Sequence, residues 1–121
     1  MRVMIVDDSA SMRMIVRRTL KQTGHDDWEV CEAVDGVDAL NKVDDYDPHL
    51  IFCDWNMPNM NGIDVLKNLR AKENAVKFGF VTTESTPEMR ALAKEAGANF
   101  LIAKPFNAQS FGSAIDAVLG R

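Results

Sequence analysis

Acidic, hydroxyl and ammonium side chains recur in this sequence in one context: each directly follows a short apolar run. Val3-Met4-Ile5-Val6 leads into Asp7-Asp8, and Leu50-Ile51-Phe52-Cys53 into Asp54. Phe78-Gly79-Phe80-Val81 leads into Thr82-Thr83, and Phe100-Leu101-Ile102-Ala103 into Lys104-Pro105. Three carboxylates gathered in one cleft repel one another, which raises their pKa unless a cation neutralises them. A hard divalent ion is the natural partner. Mg²⁺ fits best, because it keeps waters and takes one or two protein carboxylates together with substrate phosphate. A carboxylate so placed can act as a nucleophile toward phosphorus and form an aspartyl phosphate. Phosphoryl transfer asks mainly for positioning and charge neutralisation. The ion and the Lys104 ammonium would supply the latter, and the Thr82 hydroxyl could donate to a phosphoryl oxygen.

For these groups to meet, the apolar runs must lie side by side. Each run reads as a strand, and Trp28-Glu29-Val30-Cys31-Glu32-Ala33 alternates as a further one. Leu50–Cys53 is apolar throughout, as a central parallel strand covered on both faces should be. Between the strands, apolar residues recur at helical spacing. Met12, Ile15, Val16, Thr19 and Leu20 stripe a first helix, and Val37, Leu40 and Val43 a second after Gly36. Ile63, Leu66 and Leu69 mark a third, and Phe111, Ala114, Ile115, Val118 and Leu119 the last. Ser85-Thr86-Pro87-Glu88 predicts the start of the fourth, with a capping box from Ser85 to Glu88, and Gly97 its end. Five strand–helix units in strict alternation predict an α/β fold with a parallel sheet, helices on both faces and right-handed crossovers. In such folds ligands bind beyond the carboxyl ends of the strands, where the polar residues above fall.

Taken singly, each residue has an ordinary structural reading. Asp8 or Ser9 could cap the first helix, Asp54 could be a turn residue before Pro58, and Thr82 a plain strand-end residue. A lone Lys104 would be a solvated surface residue, and Trp28 and Trp55 packing residues. The coincidence of the acidic pair, Asp54, Thr82 and Lys104 at strand ends argues for a site, because independent accidents would scatter.

The bulk properties exclude other classes. The 121 residues predict one domain spanning 1–121, and 46% hydrophobic with 26% charged residues is the composition of a chain with a real core. A net charge of -4 argues against a nucleic-acid surface, which needs clustered Lys and Arg. Neither a membrane span nor a signal peptide is present in the pattern, so the expected location is the cytoplasm. Cys31 and Cys53 sit inside apolar runs and read as buried thiols, not as a disulfide or zinc site.

With those motifs in view, the sequence resembles the receiver domain of bacterial two-component response regulators. It is most similar to the single-domain chemotaxis regulators of the CheY type. The likeness runs nearly the whole length: VDDS at 6–9, DGVDALNKV at 35–43, DWNMPNMNG at 54–62, VTTE at 81–84 and KPF at 104–106. It implies a doubly wound (βα)5, flavodoxin-like three-layer sandwich with strand order 2-1-3-4-5. It also implies that Asp54 is the phosphoacceptor and that Asp8 and Asp54 are carboxylate ligands of Mg²⁺. Asn56 would add its backbone carbonyl, and Asp7 would reach the ion through water. Thr82 resembles the switch hydroxyl, and Lys104 the lysine that contacts the phosphoryl group, joined to Pro105 by a cis peptide bond. Asn56 and Glu84, flanking the site, match the chemotaxis type, whose acyl phosphate hydrolyses quickly. Two positions depart from the pattern: Leu101 stands where the family usually has a switching Tyr or Phe, and Thr83 where a smaller residue is common.

By this resemblance the protein is expected to be a monomeric signalling switch that assists its own phosphorylation and dephosphorylation, not an enzyme acting on a separate substrate. A histidine kinase would phosphorylate it. The face of the fourth helix, fifth strand and fifth helix, with Arg90 and Lys94 one turn apart, would then meet a partner. A flagellar motor switch protein and a phosphatase are the partners the family suggests, with no nucleic acid or membrane. A phosphorelay intermediate or phosphate sink is the alternative. A phosphohydrolase is disfavoured, because Asp7-Asp8-Ser9 does not supply the Asp-x-Asp pattern of such enzymes. A flavodoxin-like cofactor binder is disfavoured because Asp7 and Asp8 would repel a phosphate.

Overall fold

The computed structural model describes residues 1–83 and 85–120. Its elements alternate without exception: β1 (Arg2–Val6), α1 (Ala10–Gln22), β2 (Glu29–Ala33), α2 (Gly36–Tyr46) and β3 (Leu50–Cys53). There follow α3 (Gly62–Ala71), β4 (Lys77–Thr82), α4 (Pro87–Ala96), β5 (Phe100–Ala103) and α5 (Ala108–Leu119). The strands form one sheet in the order β2-β1-β3-β4-β5, with every neighbouring pair parallel.

Two cores cover the two faces of this sheet, and the strands feed them by simple alternation. Met4, Val6, Ile51, Cys53, Phe78 and Phe80 point toward α2, α3 and α4, where Ala39, Val43, Leu66 and Leu69 meet them. Val3, Ile5, Leu50, Phe52 and Val81 point the other way, onto Val16 and Leu20 of α1 and Phe111 and Ile115 of α5. Phe52, Phe78, Phe80 and Phe111 are among the largest fully buried side chains. Each stabilises the sandwich by about 2–3 kcal/mol through apolar area removed from water. Gly79 is required by the sheet itself: a Cβ there would enter the ring of Phe100 on β5.

Three local details differ from the expectations. Ile15 and Val37 lie on the predicted apolar stripes yet are exposed, because no element among the described residues covers them. Trp28 stays outside β2 and stacks on His25 with ring centroids 3.8 Å apart. The fourth helix is capped by Thr86, whose side chain accepts from the Met89 N–H, so the Ser85–Glu88 capping box is not formed. The proline explains the shift. A residue preceding Pro is excluded from helical backbone, so Thr86, at φ -65° and ψ 157°, becomes the cap and Pro87 opens the helix. The Lys104–Pro105 bond is cis, as the resemblance implied. No helix among the described residues is long and apolar enough to cross a membrane.

Candidate functional site

The carboxyl ends of β1 and β3 are locked together by the sheet ladder. Asp7 N–H donates to Ala33 O at 3.1 Å, and Asp54 N–H donates to Val6 O at 2.9 Å. The two aspartates therefore leave the sheet side by side, with Asp8 one residue further along the β1–α1 loop. One carboxylate oxygen from each of Asp7, Asp8 and Asp54 lies within 4.8 Å of the others. Asp7 is buried, Asp54 is partly buried and Asp8 is exposed, so the cluster is closed at the bottom and open to solvent at one rim.

Lys104 enters the cluster from the end of β5. Its Nζ lies 3.3 Å from Asp7 Oδ2 and 3.6 Å from Asp54 Oδ1. Its own backbone N–H donates to Thr82 O at 2.9 Å, which ties the lysine to the end of β4. Asp7 Oδ1 accepts from the Ser9 N–H at 2.9 Å, and Asp54 Oδ1 accepts from the Trp55 N–H at 2.8 Å. Ser9 is itself the α1 cap, accepting from Met12 N–H, so the cap reading holds for Ser9 and leaves Asp8 for the cleft. Burial pushes the Asp54 carboxyl above its ordinary value, Asp7 and Asp8 push the same way, and Lys104 and the Trp55 N–H pull against them. One ammonium faces three carboxylates here, an excess of negative charge that a cation would relieve. Hard oxygen donors, one of them exposed so that waters can remain on the ion, fit Mg²⁺.

The remaining predicted residues surround this centre. Thr82 is buried at the end of β4, and Thr83 beside it is exposed. Asn56 and Pro105 are exposed in the loops that leave Asp54 and Lys104. Glu84 lies outside the described residues. Leu101 is not in the cluster. It sits on β5 against the α2–α4 core and lines a concavity of about 260 Å³ with Arg90, Ala93, Lys94 and Phe100.

Some residues of the site were not anticipated. Gly62, the first residue of α3, lies under Asp54: a Cβ there would strike the Asp54 carbonyl oxygen, and the Gly62 N–H donates to Trp55 O at 2.8 Å. The buried Cys53 thiol donates to the Asp54 carbonyl oxygen at 3.2 Å, and burial pushes that thiol well above its ordinary pKa. Asn59, at φ 68°, donates from Nδ2 to Asp35 Oδ2 at 2.7 Å and links the β3–α3 loop to the α2 cap. Arg13 reaches back from α1 to the Asp7 carbonyl. A lone Glu32 in the otherwise apolar end of the second strand, with arginines one turn apart in α1, was the available signal for that last contact.

The family profile "Response regulator receiver domain" matches residues 3–116. This chain is a response regulator receiver domain. Among curated relatives, the receiver domain is 39% identical to "Chemotaxis protein CheY1" of Helicobacter pylori strain J99, covering 99% of this chain and 98% of that protein. It is 40% identical to "Chemotaxis protein CheY homolog" of Campylobacter jejuni strain 81-176, over 99% of this chain and 93% of the relative. Its backbone matches the solved structure of the chemotaxis response regulator CheY4 of Vibrio cholerae with a TM-score of 0.85, at 34% identity and 97% coverage of both chains.

Proposed function

We propose that this receiver domain is a stand-alone chemotaxis-type response regulator, a cytoplasmic monomer phosphorylated on Asp54 by a histidine kinase with Mg²⁺. The observation that carries the reading is the convergence of Asp7, Asp8, Asp54 and Lys104 at one sheet edge. Relatives of nearly the same length, bearing chemotaxis names, support the stand-alone and chemotaxis parts.

Asp54 Oδ1 is engaged by the Trp55 N–H and faces Lys104, which leaves Oδ2 for the incoming phosphorus. As the oxygen–phosphorus bond forms, the nitrogen–phosphorus bond of the phosphohistidine breaks and its electron pair returns to the imidazole. Asp7, Asp8 and Asp54, with the Asn56 carbonyl, would hold Mg²⁺. When bound, the ion neutralises charge on the phosphoryl oxygens. Lys104 would add to that neutralisation, and its contacts with Asp7 and Asp54 hold it ready for that role. The same residues assist loss of the phosphoryl group to water. Asn56, Thr83 and Pro105 flank the reacting atoms and set access to them.

Thr82 then donates its hydroxyl to a phosphoryl oxygen and biases a two-state loop toward α4. The α4-β5-α5 face carries the output, with Arg90, Lys94 and Leu101 around its concavity. A flagellar motor switch protein is the partner proposed for it, and a phosphatase resets the switch. Leu101 in place of an aromatic favours one alternative, a phosphorelay intermediate or phosphate sink without an output partner. Tracing labelled phosphate from Asp54 to a second histidine protein separates the two.

The primary experiment adds Mg²⁺ with beryllofluoride or acetyl phosphate to wild type and to Asp54→Asn and follows Trp55 fluorescence. Trp55 is buried against Phe80, ring centroids 4.6 Å apart, directly beside the acceptor. A Mg²⁺-dependent response with base- and hydroxylamine-labile phosphate in wild type alone supports the reading. Silence in wild type makes the protein a phosphorylation-independent binding module.

A further inference from the structure

Asp7 is held at every polar group it owns. Its N–H donates to Ala33 O, its Oδ1 accepts from Ser9 N–H and its Oδ2 faces Lys104. Its backbone carbonyl accepts from Arg13 Nη1 at 2.7 Å. Asp8, by contrast, is exposed, and its carboxylate has no hydrogen-bonding partner among the described residues. The direction in which Asp8 points is therefore set by its backbone. The Asp7 carbonyl and the Asp8 N–H belong to one planar peptide unit. Anchoring that oxygen fixes the plane from which the Asp8 side chain departs, relative to the already fixed Asp7.

Arg13 is in turn anchored. Its Nε donates to Glu32 Oε1 at 2.8 Å, and Arg17 Nη2 holds the other oxygen of Glu32 at 2.6 Å. Lys42 Nζ donates to the Glu32 carbonyl at 2.8 Å, so the strand that presents Glu32 is itself tied to α2. The Arg13 side chain is 14% exposed. Although burial works against it, the two arginines hold the Glu32 carboxyl below its ordinary value. A fixed cation at the rim of a cation site is an electrostatic liability, because like charges repel. Pairing with Glu32 offsets that charge, and the geometry accounts for its presence.

We infer that Arg13 is a positioning residue that sets the Asp7–Asp8 peptide for Mg²⁺, and that Glu32 sets Arg13. The inference rests on the reading of Asp7 and Asp8 as ion ligands. Charge and geometry predict opposite signs, which makes the test decisive. Removing a cation by field effect alone strengthens Mg²⁺ binding, whereas losing the peptide anchor weakens it.

The measurement is a Mg²⁺ titration of the full chain by Trp55 fluorescence without phosphodonor, for wild type, Arg13→Ala, Arg13→Lys, Glu32→Gln and Arg17→Ala. Arg13→Ala is expected to bind Mg²⁺ about tenfold more weakly, the size seen when groups behind metal ligands are removed. Arg13→Lys, which keeps a donor for the carbonyl, should recover part of the loss, and Glu32→Gln should weaken binding in the same direction. Arg17→Ala removes a charge from the same helix without touching the Asp7 carbonyl and should match wild type or bind more tightly. Binding by Arg13→Ala equal to or tighter than wild type overturns the inference, as does a loss in Arg17→Ala equal to that in Arg13→Ala. Failure of wild type itself to bind Mg²⁺ removes the reading of the cleft and the inference with it.

Discussion

Lys104 Nζ stands 3.3 Å from Asp7 Oδ2, and the two residues are 97 positions apart in the chain. Both side chains are nearly withdrawn from water, at 13% and 5% exposure. Desolvating such a pair cancels much of its attraction, so its presence adds little net stability, whereas removing one member alone strands a buried charge.

Lys104→Met, which keeps the side-chain stem, is therefore expected to destabilise the ion-free protein by about 3 kcal/mol. Added Mg²⁺ should raise the melting temperature of the variant more than that of wild type, since the ion takes over the neutralising role. Acetyl phosphate labelling should fall about hundredfold, the order of a lost charge-stabilising donor. Paired thermal melts with and without Mg²⁺ check the stability claim, and equal Mg²⁺ shifts for the two proteins would contradict it.

Asp54→Asn should do the opposite and stabilise the fold. Burial, reinforced by Asp7 and Asp8, raises the Asp54 carboxyl above its ordinary value of 3.8 despite Lys104. The folded state then binds a proton more tightly than the unfolded state. Stability falls as pH rises from the unfolded value through the folded one, and the full penalty is present above both. At neutral pH the variant should gain about 1 kcal/mol, or about 4 °C in Tm. The difference should vanish as the pH falls below the ordinary carboxyl value, and a gap independent of pH would rule this origin out. Wild-type Mg²⁺ affinity should fall over the same acidic window, because the ligand must lose its proton.

Gly62→Ala tests the packing beneath the acceptor. The added methyl meets the Asp54 carbonyl oxygen, a backbone atom that cannot swing aside. A loss of about 2–3 kcal/mol in urea unfolding is expected, together with weaker Mg²⁺ binding as the β3–α3 loop is displaced. A variant with wild-type unfolding midpoint would show that this loop yields freely.

Thr82 is buried at the end of β4, and its hydroxyl is proposed to meet the phosphoryl group. Thr82→Ala should take up phosphate but lose about 2 kcal/mol of coupling, the worth of a hydrogen bond to a charged group. That is about thirtyfold in the ratio of partner affinities with and without beryllofluoride. Thr82→Ser should restore most of it. Full coupling in Thr82→Ala would exclude this switch.

The strands and their polar ends were legible because parallel central strands are apolar on both faces and then stop abruptly, as at Cys53–Asp54. Alternating apolar runs and amphipathic stretches could predict five strand–helix units, while the strand order came through the resemblance. Ile15 and Val37 were misjudged because periodicity marks a stripe without saying how much of it a neighbour covers. The α4 start was misplaced by one residue because a Ser–x–x–Glu pattern was weighed above the backbone restriction that Pro87 imposes on Thr86. The Arg13–Glu32 anchor was only hinted at by the lone Glu32 and the two arginines of α1, and the pairing itself could not be read. It depends on the β1–β2 register, Ile5 opposite Glu32, which places that carboxylate level with the first turns of α1.

The cleft draws Asp7 and Asp8 from just after the first strand, Asp54 from just after the third and Lys104 from just after the last. On the ribosome these arrive in that order, and a growing chain that has not yet emerged through β5 exposes the three acids without their ammonium. Such a chain can hold no finished cleft. Assembly of the cleft is thereby tied to arrival of the fifth strand, and a chain that stops short of it presents three acids that repel one another.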